Sequence, residues 1–455
     1  MTDVRSDLAH LYRRAGFGAR PDELDAAVAA GYEATVESLL AGLAGADPEG
    51  DGLALPALSM PAAGPTAGGG AAQNLQVAAQ QRQEENRQEA SLQAWWINRM
   101  IVTSTPLREK LTFLWSGHFA TGFEKVRSAA LMYRQNQLFR ALGAGSFETL
   151  TAAVAKDPAM QRWLDTATNV AAHPNENFAR ELMELFTLGI GNYSETDVQQ
   201  AARCFTGWSF NRANGNFMLR ARVHDYGQKT VLGQTGDFDG DGLVHLVTTA
   251  PASHRFIVAK LWSHLAYPVS PSDAVVGQLV PGYSKDLNIT NLLRAIFLHP
   301  AFTGTTARTG LVKQPVEYVV GAARAFGLNA GPTVGADPAP PRAGARRAPP
   351  SLAAAARLMA QDLFNPPNVG GWPQNQYWLT TVSASLRVQF GAQVGASAPL
   401  DALSEVPVAG RPAALAHLLS IDGWGQTTTA ALGHVAADPA ALVTLALSAP
   451  EYVLN

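Results

Sequence analysis

The stretch His173–Gly191, HPNENFARELMELFTLGIG, gathers more ionisable side chains on one helical face than any other part of the chain. Pro174 suits a first helical position and Gly189 and Gly191 suit a stop, so the spacing predicts a helix of about four turns between them. At roughly 100° per residue, Glu176, Asn177, Arg180, Glu181 and Glu184 fall on one arc, and Phe178, Leu182, Leu185 and Phe186 on the other. The helix is therefore amphipathic with an acidic polar side. Glu176, Arg180 and Glu184 form a ladder four residues apart, and Glu181 and Glu184 stand close enough for their carboxylates to interact. Carboxylates so placed can bind a divalent metal, or one can be kept protonated by its neighbour and act as a general acid. The same pattern also describes a solvated ion-pair face that suits the helix dipole. Residue types alone leave both open.

The flanking segments are helical too. Upstream, TPLREKLTFLWSGHFATG places Leu107, Leu111, Leu114 and Trp115 at helical spacing and delivers His118 at the helix C-terminus, where the dipole favours a protonated ring. His118 reads as a hydrogen-bonded core residue or as a ligand. Downstream, Ser194 and Asp197 make a capping box for a helix whose apolar stripe is Val198, Ala201, Ala202 and Phe205. FMLRARVHDYGQKTVLG then alternates like a short β-hairpin turning at YGQK, which puts His224, Asp225 and Lys229 near the turn. Adjacent strand residues point to opposite faces, so only one of His224 and Asp225 is expected to face a site. Asp237, Asp239, Asp241 and Gly242 imitate the start of a calcium loop, but Thr248 stands where a bidentate Glu is required, and Asp241 as a helix cap explains the same residues. Further on, NPPNVGGWPQNQYWL is a stiff turn whose Trp372, Tyr377 and Trp378 either line a groove or anchor the turn in the core.

Composition sets the bounds. The 455 residues are 47% hydrophobic, enough to bury a large core. A net charge of -3 and no basic run longer than two residues exclude an electrostatic nucleic-acid partner. The single cysteine, Cys204, excludes an intrachain disulfide and cysteine-based zinc sites, and its neighbours Phe205 and Trp208 mark it as a small buried hydrophobe. No apolar run of about 18 residues appears, so no membrane span is expected. The N-terminal residues lack a signal-peptide core, which reads as cytoplasmic, with export open if a leader has been removed. The expected fold is mostly α, a large multi-helical domain with a small β-hairpin insertion. Residues 1–43 are N-terminal helices, 44–72 a flexible Gly/Pro/Ala-rich insertion, 73–330 the central helical domain, 331–350 a flexible loop, and 351–455 helices completing the same domain.

Taken together, HLYRRAGFG, WWINRM with LREKLTFLWSGHFAT, PNENFARELMELFTLGIGNYSETDVQQAARCFTGW, HDYGQKTVLG, KQPVEYVV and LFNPPNVGGWPQNQYWL resemble an uncharacterised bacterial family, the one catalogued as domain of unknown function 1800. The resemblance runs from about residue 5 to about residue 390. It implies no established reaction. It does imply a role in envelope or extracellular material and a sulfatase-like protein as a genetic neighbour and partner. Matching polar motif positions are His118, Glu176, Asn177, Arg180, Glu181, Glu184, His224, Asp225 and Lys229. Some members carry His where this chain has Phe186, which weakens a Glu-x-x-His metal site on this helix.

The residues support three functional readings. In the first, a hydrolase-like enzyme uses two of Glu176, Glu181 and Glu184 as acid and base, tuned by Arg180, with His224 and Asp225 contributing. Asn177, Lys229, Trp372 and Trp378 then hold a polymeric, carbohydrate-like substrate. In the second, a divalent metal sits on His118, His224, Glu181 and Glu184 for hydrolysis or oxidation. In the third, the charged cluster is a buried ion-pair network in a non-catalytic, partner-binding scaffold.

Overall fold

The helix Pro106–His118 is covered on nearly every side, its charged Glu109 and Lys110 included. Its Leu107, Leu111, Leu114 and Trp115 enter one apolar cluster with Phe178, Leu182, Met183 and Phe186 of the acidic segment and with Ile257, Leu261 and Trp262 of the helix Pro251–Leu265. Its Phe113 enters a second cluster, with Trp96 and Met100 of the helix Ala71–Val102 and Val316 and Val320 of the helix Pro315–Phe326. The computed structural model describes residues 4–60, 71–329 and 351–454. The fold is mostly α-helical with two small antiparallel sheets, the expected class. Beyond Ser351 the chain continues in helices. Thr381–Ser397 packs tightly on Pro439–Ser448 because Gly391 and Gly395 bring the backbones together; a Cβ on Gly395 would stand 2.5 Å from the Ala440 carbonyl oxygen.

The β insertion differs from expectation. Residues 217–233 do not form one hairpin. Strand β1 (Trp208–Phe210) pairs with β2 (Phe217–Leu219), and β3 (Lys229–Val231) pairs with β4 (Gln234–Gly236). Backbone conformation explains the pairing. The link between β1 and β2 carries Gly215 at φ 69°, and Leu232 and Gly233 between β3 and β4 lie at φ 50° and 76°, the left-handed pair that closes a tight hairpin. YGQK contains no such residue, and a 3-10 turn at Ala221–Val223 separates the two sheets.

The N-terminal half of the 44–72 stretch is also not a loose insertion. Asp47 is fully buried, caps the short helix Pro48–Asp51, and accepts from the Thr103 hydroxyl at 2.8 Å and the Ser104 amide at 3.0 Å. Arg99 reaches it at 3.1 Å, so composition there is outweighed by one buried carboxylate. Residues 61–70 and the expected loop 331–350 lie outside the described residues. In the pseudo-calcium turn, Asp239 rather than Asp241 caps the helix Gly240–Thr248, accepting from the Gly242 amide at 2.9 Å, while Asp241 pairs with Lys156.

Candidate functional site

The acidic segment is shorter and less regular than its periodicity predicts. The α-helix covers only Asn177–Glu181, and Leu182–Thr187 continues as a π-helical turn. Within it, the Thr187 hydroxyl donates to the Leu182 carbonyl at 2.6 Å and the Leu188 amide to the Met183 carbonyl at 2.9 Å. A π turn accommodates one extra residue and rotates the side chains beyond it, and such turns concentrate at functional sites. Only the first rung of the expected ladder survives. Arg180 bonds Glu176 at 2.9 Å and clamps Glu195, in the first turn of the helix Glu195–Cys204, at 2.9 and 2.7 Å. Glu184 instead accepts from the Tyr193 phenol.

The two remaining carboxylates differ in environment. Glu181 and Glu184 are both half-buried. Burial, and then the charge of Glu184, raise the Glu181 pKa, against which the already committed Arg180 is the smallest influence. Burial and the Glu184 carboxylate push the Tyr193 phenol up to about 12, so it stays a donor to Glu184. Asn177 is exposed at the start of the helix.

His118 does not reach this pair. It is buried against Trp115, Phe119, Phe147, Phe186 and Phe256, and its Nε2–H donates to the Phe186 carbonyl at 3.0 Å. Burial, reinforced by the charge of Lys260, takes its pKa well below the ordinary value, so the expected protonation by the helix dipole is overturned. Desolvation among rings outweighs a helix end. His224 donates from Nδ1 to the Thr206 carbonyl at 2.6 Å and lies edge-on to Tyr226. Asp225 is held by Arg203 at 2.7 and 3.2 Å and by the Gly227 amide, and Arg203 keeps its carboxyl below the usual range. Lys229 is buried and donates to the Asp225 carbonyl. These three groups brace one another and the end of the Glu195–Cys204 helix.

The expected metal set is therefore not assembled. His118 and His224 are each committed to a backbone carbonyl, and among the described residues no three His, Cys, Asp or Glu side chains converge in a way that could hold an ion. Trp378, expected to bind substrate, is only 3% exposed and anchors its turn in the core. Trp372 remains half-buried, stacked on Phe113 with centroids 6.4 Å apart. Cys204 is buried with its thiol pushed up to about 12 by burial, an inert hydrophobe as expected.

The sequence profile of the family described as Protein of unknown function (DUF1800) matches residues 10–454, nearly the whole chain. The chain belongs to the DUF1800 family. No curated protein and no solved structure matches it. For this DUF1800 member the match extends past the motifs to the C-terminal helices, so those helices are part of the family unit. No described helix is long and apolar enough to cross a membrane.

Sequence reasoning missed two polar clusters of this DUF1800 chain. Glu109, fully buried, accepts from Arg99 at 2.7 Å, from Arg140 at 2.6 and 2.9 Å, and from the Trp96 indole at 3.1 Å. The buried ion-pair network expected of the acidic helix thus exists, but in Pro106–His118. The second cluster is Lys260, His264 and Gln374 behind Trp372. Its only sequence signal is the four-residue spacing of Lys260 and His264 on one helix.

Proposed function

We propose that this protein is a hydrolase of the general acid–base type in which Glu181 donates a proton and Glu184, oriented by Tyr193, accepts one. This reading rests on a pair of half-buried carboxylates where the α-helix passes into the π turn, whose environments differ, burial and a like charge raising Glu181 while a phenol donor serves Glu184. A pair on a helix face suits an extended, polymeric substrate. Glycoside cleavage asks for carboxylates on both sides of the scissile bond, and Asp225, the second acid the sequence offers, is locked to Arg203. Carbonyl-centred bonds are therefore favoured over glycosidic ones. Glu181→Gln and Glu184→Gln should remain as stable to denaturant as the parent while turnover on a panel of polysaccharide, ester and peptide polymers falls about 10²-fold or more. A parent without turnover on every class, or variants that lose stability in step with activity, sinks the reading.

A second reading, a non-catalytic scaffold, is favoured by the double clamp of Arg180 on Glu176 and Glu195, which ties two helices at the surface. Under it, Arg180→Ala would weaken partner capture and leave no turnover to lose.

A further inference from the structure

Behind Trp372 lies a small cavity of about 20 Å³, bounded by Phe113 and Leu114 of the Pro106–His118 helix and by Lys260, His264, Gln314 and Gln374. The polarity of its walls is set by the hydrogen bonds behind them. His264 Nδ1 faces the Lys260 carbonyl at 2.8 Å, and a carbonyl can only accept, so Nδ1 carries the hydrogen. Burial, and next the charge of Lys260, take the His264 pKa down to about 3, so the ring is neutral and Nε2 is an acceptor. The Gln374 atom that meets Nε2 at 2.5 Å must then be its amide nitrogen. That leaves a second Gln374 N–H to serve the cavity.

Gln314 is oriented in the same way. The Val316 amide donates to Gln361 Oε1 at 2.8 Å, which leaves Gln361 Nε2 to donate to Gln314 Oε1 at 2.6 Å. The Gln314 oxygen is therefore taken, which leaves its NH₂ free to donate. Lys260 adds an ammonium for which no carboxylate stands within salt-bridge distance among the described residues, and burial lowers its pKa. Among the described residues no acidic side chain lines the cavity. Nearby Lys110 is already neutralised by Glu317, and His118 and His264 are uncharged. Three sets of donors thus surround a space with one unbalanced positive charge and two aromatic walls.

We propose that this cavity is a carboxylate-binding site, with Lys260, Gln314 and Gln374 as donors and Trp372 as the wall against which the rest of the ligand lies. The volume accommodates about one water-sized atom, so one carboxylate oxygen enters and the remainder of the molecule stays at the mouth and outside. A carboxylate offers about four acceptor sites on its two oxygens, enough to take the hydrogens of Lys260, Gln314 and Gln374. The site is separate from the Glu181–Glu184 pair and does not depend on it for its chemistry.

The test is thermal unfolding and calorimetric titration of the full chain with sodium acetate, against sodium chloride at matched ionic strength. Acetate should bind saturably and raise the unfolding temperature, whereas chloride should not. Lys260→Met should abolish the acetate response, and Gln374→Ala, at a half-buried position in a turn, should weaken acetate affinity about tenfold through the loss of one hydrogen bond to a charged group. Should Lys260→Met fail to fold, Gln374→Ala and Gln374→Glu, which places a negative charge at the mouth, decide the matter alone. An equal response to chloride, no saturable response in the parent, or an acetate affinity unchanged in the Gln374 variants overturns the proposal.

Discussion

Glu109 and Asp157 are both buried carboxylates, and their surroundings drive them in opposite directions. Burial pushes Glu109 up, but Arg140 and Arg99 together outweigh it and hold the group ionised below the usual range. Glu109→Gln would leave two guanidiniums without their carboxylate in the core, and should cost about 3–5 kcal/mol in denaturant unfolding. A loss under about 1 kcal/mol would show that Asp47 and Asp51 suffice to balance Arg99. Asp157 has no such cation in contact among the described residues; Gln135 and the Met160 amide donate to it, and burial raises its pKa from 3.8 to about 7. Because the folded value is the higher one, the folded state binds the extra proton between these limits, and stability must fall as pH rises from about 4 through about 7. Glu89, raised by burial to about 7, acts in the same sense. Asp157→Asn should flatten this part of the stability profile while keeping the helix cap, and an unchanged slope would assign the dependence elsewhere. Residue types along the chain told which groups are ionisable. They could not tell which ones would find a counter-charge, since Glu109 meets Arg140 only through packing.

The π turn at Leu182–Thr187 and the turn at Trp372 are elements whose shape rests on few residues. Thr187 is fully buried, and its hydroxyl caps the carbonyl of Leu182 within the wide turn. Thr187→Val keeps the shape but removes that bond, and should destabilise by about 1–2 kcal/mol. If the turn tolerates the change without loss, backbone bonds alone hold it. Gly371 has φ 84°, and a Cβ there would stand 2.2 Å from the Gly117 carbonyl oxygen. Gly371→Ala should therefore displace the Trp372 turn, lower stability by more than about 1 kcal/mol and expose the Trp372 indole, seen as a red-shifted fluorescence component. Unaltered emission and stability would contradict this placement. Helix existence and the amphipathic face were legible from spacing here. The π turn was not, because a one-residue insertion leaves the apolar count almost unchanged while rotating Glu184 from Arg180 to Tyr193.

Across the molecule as a whole, the chain is tied end to end. Arg13 donates to the Ser420 carbonyl at 2.5 Å, Arg14 to the Ala307 carbonyl, and Arg308 pairs with Asp7 and Asp422. At the other end, Leu454 bridges to Val312, and the buried Tyr452 phenol donates to the Tyr318 carbonyl at 2.9 Å. Removing residues 450–455 should therefore lower the unfolding temperature of the entire chain in a single calorimetric transition; a separate low-temperature transition would show that the C-terminal helices unfold by themselves. Spacing and composition were enough to specify the mostly helical class, the buried character of Pro106–His118 and the lack of an intrachain disulfide, and the order of the motifs the family, because these act locally and survive any arrangement of neighbours. Packing alone settled that His118 is neutral, that Asp225 is spent on Arg203, that the two β-hairpins close at Gly215 and Gly233, and that Lys260 faces a donor-lined cavity. Each of these depends on which distant group desolvates, neutralises or pairs with a given residue, and positions far apart in the chain meet only once it has folded.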